Sequence, residues 1–344
     1  MNLRIINYLI LIFIVVFSLS CNVKKRTLHL YNWVDYIDPE VVAQFETEFN
    51  CILKIDYFDS NEELRDQLKA GAAYDVAVPS SFMAMNLQKQ GLLHKLDHNR
   101  LPSLKNIDPA FVSKHPDPQS EYTVPYMMSF IGIGYDSRKV KNFKPTWGQF
   151  GRHDLKGRMT LLDEMRPAIG AGLKYLGFSI NSTNDRELEL AGDVLIGWKK
   201  NIARFAVDDA KTGLADGEFD LIHNYSGDIL QIQKENEYLL FAIPSEGTSI
   251  NDDDLVIPAS AVEINLAYEF INFLLRPDIC AKNMTFICYL APNPDAIKLM
   301  PESFRSNKSI FPGIEIMSRC EVMRDLGNDN AKYIKVWGKI KTSR

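Results

Sequence analysis

The sequence is poor in the signatures that mark an enzyme. It contains no Gly-x-Ser-x-Gly, no Gly-x-x-x-x-Gly-Lys and no His-Glu-x-x-His, so the commonest routes to an activated serine, a phosphate cradle or a helical zinc site are missing. Cysteine is scarce, with five residues in 344, at positions 21, 51, 280, 288 and 320. None of the spacings is that of a metal or redox pair, and the last four cysteines sit among apolar neighbours, which predicts buried free thiols. Basic charge does not dominate: 39 Lys and Arg face 44 Asp and Glu, for a net charge of -5. That balance argues against nucleic acid, which needs a basic face, and is compatible with a cationic ligand. No segment repeats at a fixed period, no low-complexity linker divides the chain, and nothing in it calls for a cofactor or a metal.

Beyond its first 20 residues the chain also lacks any apolar run long enough to span a membrane, about 20 residues. The run at 8–17 comes after a single charge, Arg4, and leads into Ser18-Leu19-Ser20-Cys21. This is the layout of a bacterial export signal: charge, apolar stretch, small residues. Residues 1–20 are expected to be removed, with a diacylglycerol anchor on Cys21 and a tether over 21–26. An ordinary signal cleaved nearby, or an uncleaved anchor, are the alternatives. Loss of Arg4 takes the net charge from -5 to -6. The mature protein is expected on the periplasmic side, fixed to a membrane through its lipid.

From Thr27 onward the chain alternates between strand-like and helix-like segments. Strands are predicted over 28–33, 52–58 and 74–79. A helix between the first two is capped by Asp38 with Pro39 in its first turn, and a capping box formed by Ser60 and Glu63 opens the next. Ser80 and Ser81 start the third helix. After strand-like stretches at 124–126 and 130–135, the alternation resumes: strands at 157–162, 205–207, 219–223 and 239–243, helices at 167–176 and 186–200. The chain then returns to a strand at 255–258 and an apolar helix at 261–275. Such alternation predicts an α/β fold of parallel units, in which ligands bind beyond the carboxyl ends of the strands. Two lobes without a flexible linker predict a hinge of crossing strands.

The loop beyond the first strand is the sharpest feature: Tyr31-Asn32-Trp33-Val34-Asp35-Tyr36-Ile37-Asp38-Pro39. Ring faces attract an ammonium group through their quadrupole, and carboxylates add charge-assisted hydrogen bonds. A packing Trp beside solvated acids would give the same string.

The chain resembles the spermidine/putrescine-binding proteins of ABC importers. The resemblance is carried by 31–39, 74–80 (Tyr-Asp-Val-Ala-Val-Pro-Ser), 124–126 (Val-Pro-Tyr), 217–220 (Gly-Glu-Phe-Asp), 255–259 (Leu-Val-Ile-Pro-Ala) and 271–278 (Ile-Asn-Phe-Leu-Leu-Arg-Pro-Asp), in family order. It implies a type II periplasmic-binding-protein fold, each lobe a mostly parallel sheet flanked by helices. The N-terminal lobe would comprise 27–128 plus 255–299, and the C-terminal lobe 129–254 plus 300–344. The function implied is capture of a polyamine, putrescine or spermidine, by a monomer that delivers it to an ABC transporter permease and catalyses nothing.

By the same resemblance, Trp33 and Tyr36 are aromatic walls, Asp35 a rim carboxylate, and Ser80 and Phe82 come after the third strand, Phe82 replacing a commoner Tyr. Glu164 matches an amine-pairing acid of the second lobe, Tyr225 stands where Trp is usual, Asp253 matches the main ammonium-binding aspartate, and Tyr289 closes the box. Pro167, Asn251 and Met323 depart from the acid, aromatic and Gln common at their positions, which puts the preferred ligand in doubt. Asp252 and Asp254 would be either compensating acids or a solvated acidic turn.

Rival readings remain. His94 and His98 are four apart, as in a helical metal site, but a turn separates them; His223 ends a strand and has no evident catalytic partner. The same fold could bind iron, thiamine or an amino acid, or could serve as an adhesin without transport; ferric binding calls for paired tyrosines, of which no adjacent pair occurs, and an amino acid would need an arginine such as Arg166.

Overall fold

A computed structural model of the protein describes residues 25–113 and 115–343. The expected export signal and the lipid site at Cys21 lie outside the described residues. Among the described residues, no helix is long and apolar enough to cross a membrane. The first strand, β1, is Arg26–Asn32, so it begins at the end of the expected tether.

The first half of the molecule shows the expected alternation. β1 lies parallel to β2 (Cys51–Tyr57) on one side and to β3 (Val76–Ala77) on the other. The helix Pro39–Phe49 connects β1 to β2. The Asp38 side chain caps it by accepting the Glu40 N–H at 2.8 Å, and Asn50 ends it in the left-handed region at φ 46°. Ser60 caps the helix Asn61–Lys69, accepting the Glu63 N–H at 3.2 Å. The return bond of this capping box is shifted by one residue, since Glu63 accepts from the N–H of Asp59. β3 is shorter than its apolar run, and just before it the Asp75 carboxylate accepts the N–H groups of His29, Val262 and Glu263 at 2.9, 2.9 and 2.7 Å.

The second half departs from a purely parallel plan. The stretches 124–126 and 130–135 are one strand, β4 (Thr123–Asp136), and the return strand is β9 (Ser249–Val256), longer than predicted and begun earlier. Pro125 and Ser129 interrupt β4's apolar string in the sequence. Pro125 has no N–H to give, and the ladder shifts register between Pro125 and Met127, where that is tolerated.

β4 is shared between the two halves. Its first part, Thr123 to Phe130, pairs antiparallel with β9. Its second part, Ile131 to Asp136, pairs antiparallel with β7 (Leu221–Tyr225) and β8 (Leu239–Ala242). β5 (Met159–Leu162) is parallel to β7 and to β6 (Arg204–Ala206), giving the order β2-β1-β3-β9-β4-β7-β5-β6, with β8 on β4 and β10 (Glu321–Val322) on β9. Two packing interactions require glycine in β4. A Cβ on Gly132 would come 2.6 Å from the Ala242 carbonyl oxygen, and one on Gly134 2.5 Å from Ile229 Cδ1.

Two large apolar cores flank the shared strand. One gathers Leu28, Val41, Phe45, Val124, Phe270 and Met284; the other Ile131, Trp147, Phe150, Leu161, Leu195 and Tyr333. His223, a strand-end candidate for the cleft, is instead fully buried beside the second core, its ring 4.9 Å from that of Trp147. Burial drives its pKa down to about 3, so it is neutral. Cys51, Cys280 and Cys288 are buried free thiols, and Cys320 is free and half-buried.

Candidate ligand-binding site

The strand ends of both halves open onto one cavity of about 340 Å³, and all nine residues singled out from the sequence line it. From the first half, the loop after β1 supplies Trp33, Asp35 and Tyr36. Trp33 packs on Phe58 with ring centroids 4.2 Å apart, and Asp35 takes a left-handed φ of 55°, a conformation Asp tolerates. The segment after β3 supplies Ser80 and Phe82, at the start of the helix Ser81–Lys89. Tyr289 comes just after the helix Pro277–Ile287 and meets Tyr36 edge-on at 5.4 Å. From the second half come Glu164, just before the helix Met165–Tyr175, and Tyr225, the last residue of β7.

Asp253 is the electrostatic centre. It is buried on β9, where Tyr36 donates its hydroxyl to Oδ2 at 2.6 Å and Ser80 donates to Oδ1 at 2.8 Å. The Asn251 amide adds longer donations at 3.3 and 3.2 Å. Burial lifts the Asp253 pKa to about 6, against the pull of these donors. No ion pair to Asp253 occurs among the described residues. Glu164 is a second carboxylate of the cavity, receiving the Tyr225 hydroxyl on both oxygens at 3.0 Å. Burial and the neighbouring carboxylates push the Tyr36 and Tyr225 hydroxyls well above their usual range, so both remain donors. Around the cavity, eight carboxylates face two guanidinium groups, Arg65 and Arg166.

The three departures have distinct places. Asn251 donates its side-chain amide to Asp253. Pro167 lies buried in the first turn of the helix Met165–Tyr175, and Met323 is buried while still touching the cavity. Asp252 and Asp254 are neither cleft acids nor a solvated turn. They lie within β9, and its two-residue alternation turns them from the cavity toward His115, whose Nε2 is 3.0 Å from Asp254 Oδ1 and 4.0 Å from Asp252 Oδ2. Burial disfavours a charged His115, yet Asp254, Asp252 and Asp117 outweigh it and raise its pKa to about 9.

Arg166 lines the cavity but commits one NH group to the Arg324 carbonyl at 3.1 Å and the other to Asn181 at 3.0 Å. His98 points its Nε2 at the Ser120 carbonyl, 2.9 Å away, on a short 3-10 turn. Among the described residues, no group of three or more His, Cys, Asp or Glu is placed to hold a metal ion.

Sequence reasoning passed over Asp228. It lines the cavity from the first turn of the helix Ser226–Gln233 and, with Asp35, approaches Lys211 Nζ, at 3.7 and 3.5 Å. This contact and the Lys89–Asp325 pair at 2.8 Å both join the two halves across the cleft.

A family model described as bacterial extracellular solute-binding protein matches residues 40–312. A spermidine/putrescine-binding periplasmic protein of Salmonella typhimurium is 32% identical over 321 residues, 92% of each chain. A solved Listeria monocytogenes structure, described as a putative spermidine/putrescine ABC transporter, superposes with a TM-score of 0.87 at 32% identity, over 93% of this chain and 100% of that one. A Treponema pallidum lipoprotein superposes with a TM-score of 0.82 at 28% identity, over 91% and 99%. The expected two-lobed periplasmic-binding-protein fold is thus the fold observed, and the resemblance to spermidine/putrescine-binding proteins extends over nearly the whole described chain. The protein belongs to the bacterial extracellular solute-binding proteins, a family of binding proteins and not of enzymes.

Proposed function

We propose that the protein is the polyamine receptor of an ABC importer, holding one ligand ammonium at Asp253 and another at Glu164. Trp33, Tyr36, Phe82, Tyr225 and Tyr289 flank the methylenes, and Asp35 and Ser80 complete the rim and the Asp253 pocket. The observation that carries this reading is the setting of Asp253: a buried carboxylate ringed by three donors, in a cavity where acids outnumber bases four to one. An ammonium group would supply the missing counter-charge, and closing the halves would strengthen the attraction by excluding water. Arg166 is occupied by Arg324 and Asn181, which disfavours a carboxylate-bearing ligand. Calorimetric titration with putrescine, cadaverine, spermidine and spermine tests the assignment. Micromolar or tighter binding of at least one is expected, and no binding to any by a folded protein would sink it.

The raised pKa of Asp253 gives this binding a direction with pH. Below about pH 6 the empty cleft holds a proton on Asp253 that an ammonium must expel. Affinity is therefore expected to be flat above pH 7 and about tenfold weaker at pH 5. A titration series over that range checks it; equal affinity at pH 5 and 7 would remove Asp253 as the anchor.

The lobes comprise 27–128 plus 255–299 and 129–254 plus 300–344, a division supported by the two cores on either side of β4, apart from Met300 and Phe304, which pack with the first core. The exported chain is held on the periplasmic side by lipid on Cys21, in line with the lipoprotein nature of the Treponema pallidum relative. Radioactive palmitate should label the protein and fail to label Cys21→Ala; equal labelling would rule the anchor out. The receptor works as a monomer, which light scattering of the purified protein checks.

A further inference from the structure

Lys211 belongs to the helix Asp208–Ala215 of the second half. Its Nζ donates to Gln231 Oε1 at 2.6 Å and lies 3.7 Å from Asp228 Oδ1 and 3.5 Å from Asp35 Oδ2. All three acceptors line the ligand cavity. Two come from the helix Ser226–Gln233, the third from the loop after β1 in the opposite half. The Lys211 side chain is 21% exposed, against 60% for Asp35, so the ammonium is drawn in beneath the more open carboxylate.

Two carboxylates and an amide oxygen converging on one cation are what an amine recognition point requires. Here the cation belongs to the protein. A lysine side chain is a chain of four methylenes ending in a primary ammonium, chemically one end of an aliphatic diamine. Because it is tethered, its effective concentration at these acceptors is millimolar or above, and a ligand ammonium must displace it to bind there. Asp253 and Glu164 are organised differently, by the hydroxyls of Tyr36, Ser80 and Tyr225. Tyr289, Asp228, Asp253 and Glu164 all line the same cavity, so the three acids share one chamber.

We propose that Lys211 determines how many ammonium groups the cleft accepts: it fills a third ammonium position at Asp35, Asp228 and Gln231, leaving two for the ligand. This rests on the polyamine reading and deepens it, assigning the site to diamines over triamines. Lys211 thereby acts as a resident stand-in for the end of a longer ligand.

The test is calorimetric titration of the wild type, Lys211→Met and Lys211→Arg with putrescine, a diamine, and spermidine, a triamine. Lys211→Met frees the position while keeping the apolar stem. It is expected to raise the spermidine-to-putrescine affinity ratio at least about tenfold, the weight of one charge-assisted contact. Lys211→Arg keeps the charge and should leave the ratio within about twofold of the wild type. Adding Asp35→Asn to Lys211→Met should remove the gain, which placement of the third ammonium at Asp35 requires. An unchanged ratio in Lys211→Met overturns the inference, as does a parallel fall of both affinities, the behaviour of a mere strut between the halves. In either case the polyamine reading stands. A folded wild type that binds neither ligand overturns both.

Discussion

Asp253→Asn is expected to weaken polyamine binding by more than about a hundredfold, roughly 3 kcal/mol, without unfolding the protein. The carboxylate accepts from Tyr36, Ser80 and Asn251 at once. An amide keeps the shape but can accept on one side only, so one of its own N–H groups must face a donor. The charge that attracts the ligand is lost in the same step. Because Asp253 is buried and held by no ion pair among the described residues, its charge costs the empty protein free energy, as its raised pKa records. The variant should therefore melt no lower than the parent at pH 7.5, where Asp253 is ionised. Calorimetric titration with a parallel thermal melt decides the matter. Loss of binding accompanied by a collapse of the melt would make Asp253 a folding residue, and undiminished affinity would move the ammonium elsewhere.

Gly227→Ala should be as damaging, for a different reason. A Cβ at this position would come 2.1 Å from Tyr289 Cε1 and 2.6 Å from the Ile287 carbonyl oxygen. Gly227 lies in the first turn of the helix Ser226–Gln233 in the second half, whereas Tyr289 packs with the first-half core. One methyl group there drives the Tyr289 ring out of its place in the cavity wall and wedges the halves apart. Overpacking of this kind costs about 1–3 kcal/mol, and the misplaced wall should take about a hundredfold or more from the affinity, as small displacements at an organised site do. The expected pattern is a melt lowered by several degrees and a ligand titration without measurable heat. Affinity within about twofold of the parent would show that the contact yields freely.

The loops after β1 and β3 are legible in the sequence because one rule suffices: an apolar run ends, and the aromatic and acidic residues beyond it face the crevice. Trp33, Tyr36 and Ser80 come directly from it. Asp228 obeys the same rule, in the first turn after β7, but Tyr225 three residues earlier is the more conspicuous signal at that strand end. Asp253 is reached through family resemblance alone. By itself, Asn251-Asp252-Asp253-Asp254 reads as a polar turn, since the partners that let it stay in a buried strand are Tyr36, Ser80 and His115, more than 130 residues away. Distance in the chain likewise hides the unity of β4. Its two ends belong to different halves of the sheet, and Pro125 supplies a break that the ladder absorbs. Ion pairs across the cleft, such as Lys89 with Asp325, are unreadable without the fold because neither partner's neighbours differ from an ordinary solvated face.

The three consecutive aspartates of β9 act as a key for strand alignment. His115 receives the outer two, while Tyr36 and Ser80 receive the middle one. Sliding β9 by a single residue would present two acids to the hydroxyls and only one to the imidazole, so neither lock would fit. A slide by two would put Asn251 or Leu255 at the hydroxyls and leave a single acid at the imidazole. The chain can therefore tell correct pairing from slipped pairing by charge, as well as by the register shift at Pro125 in the ladder. Duplicating or deleting one codon between Ser249 and Val256 should thus abolish the receptor, even though the sequence it produces would look almost the same.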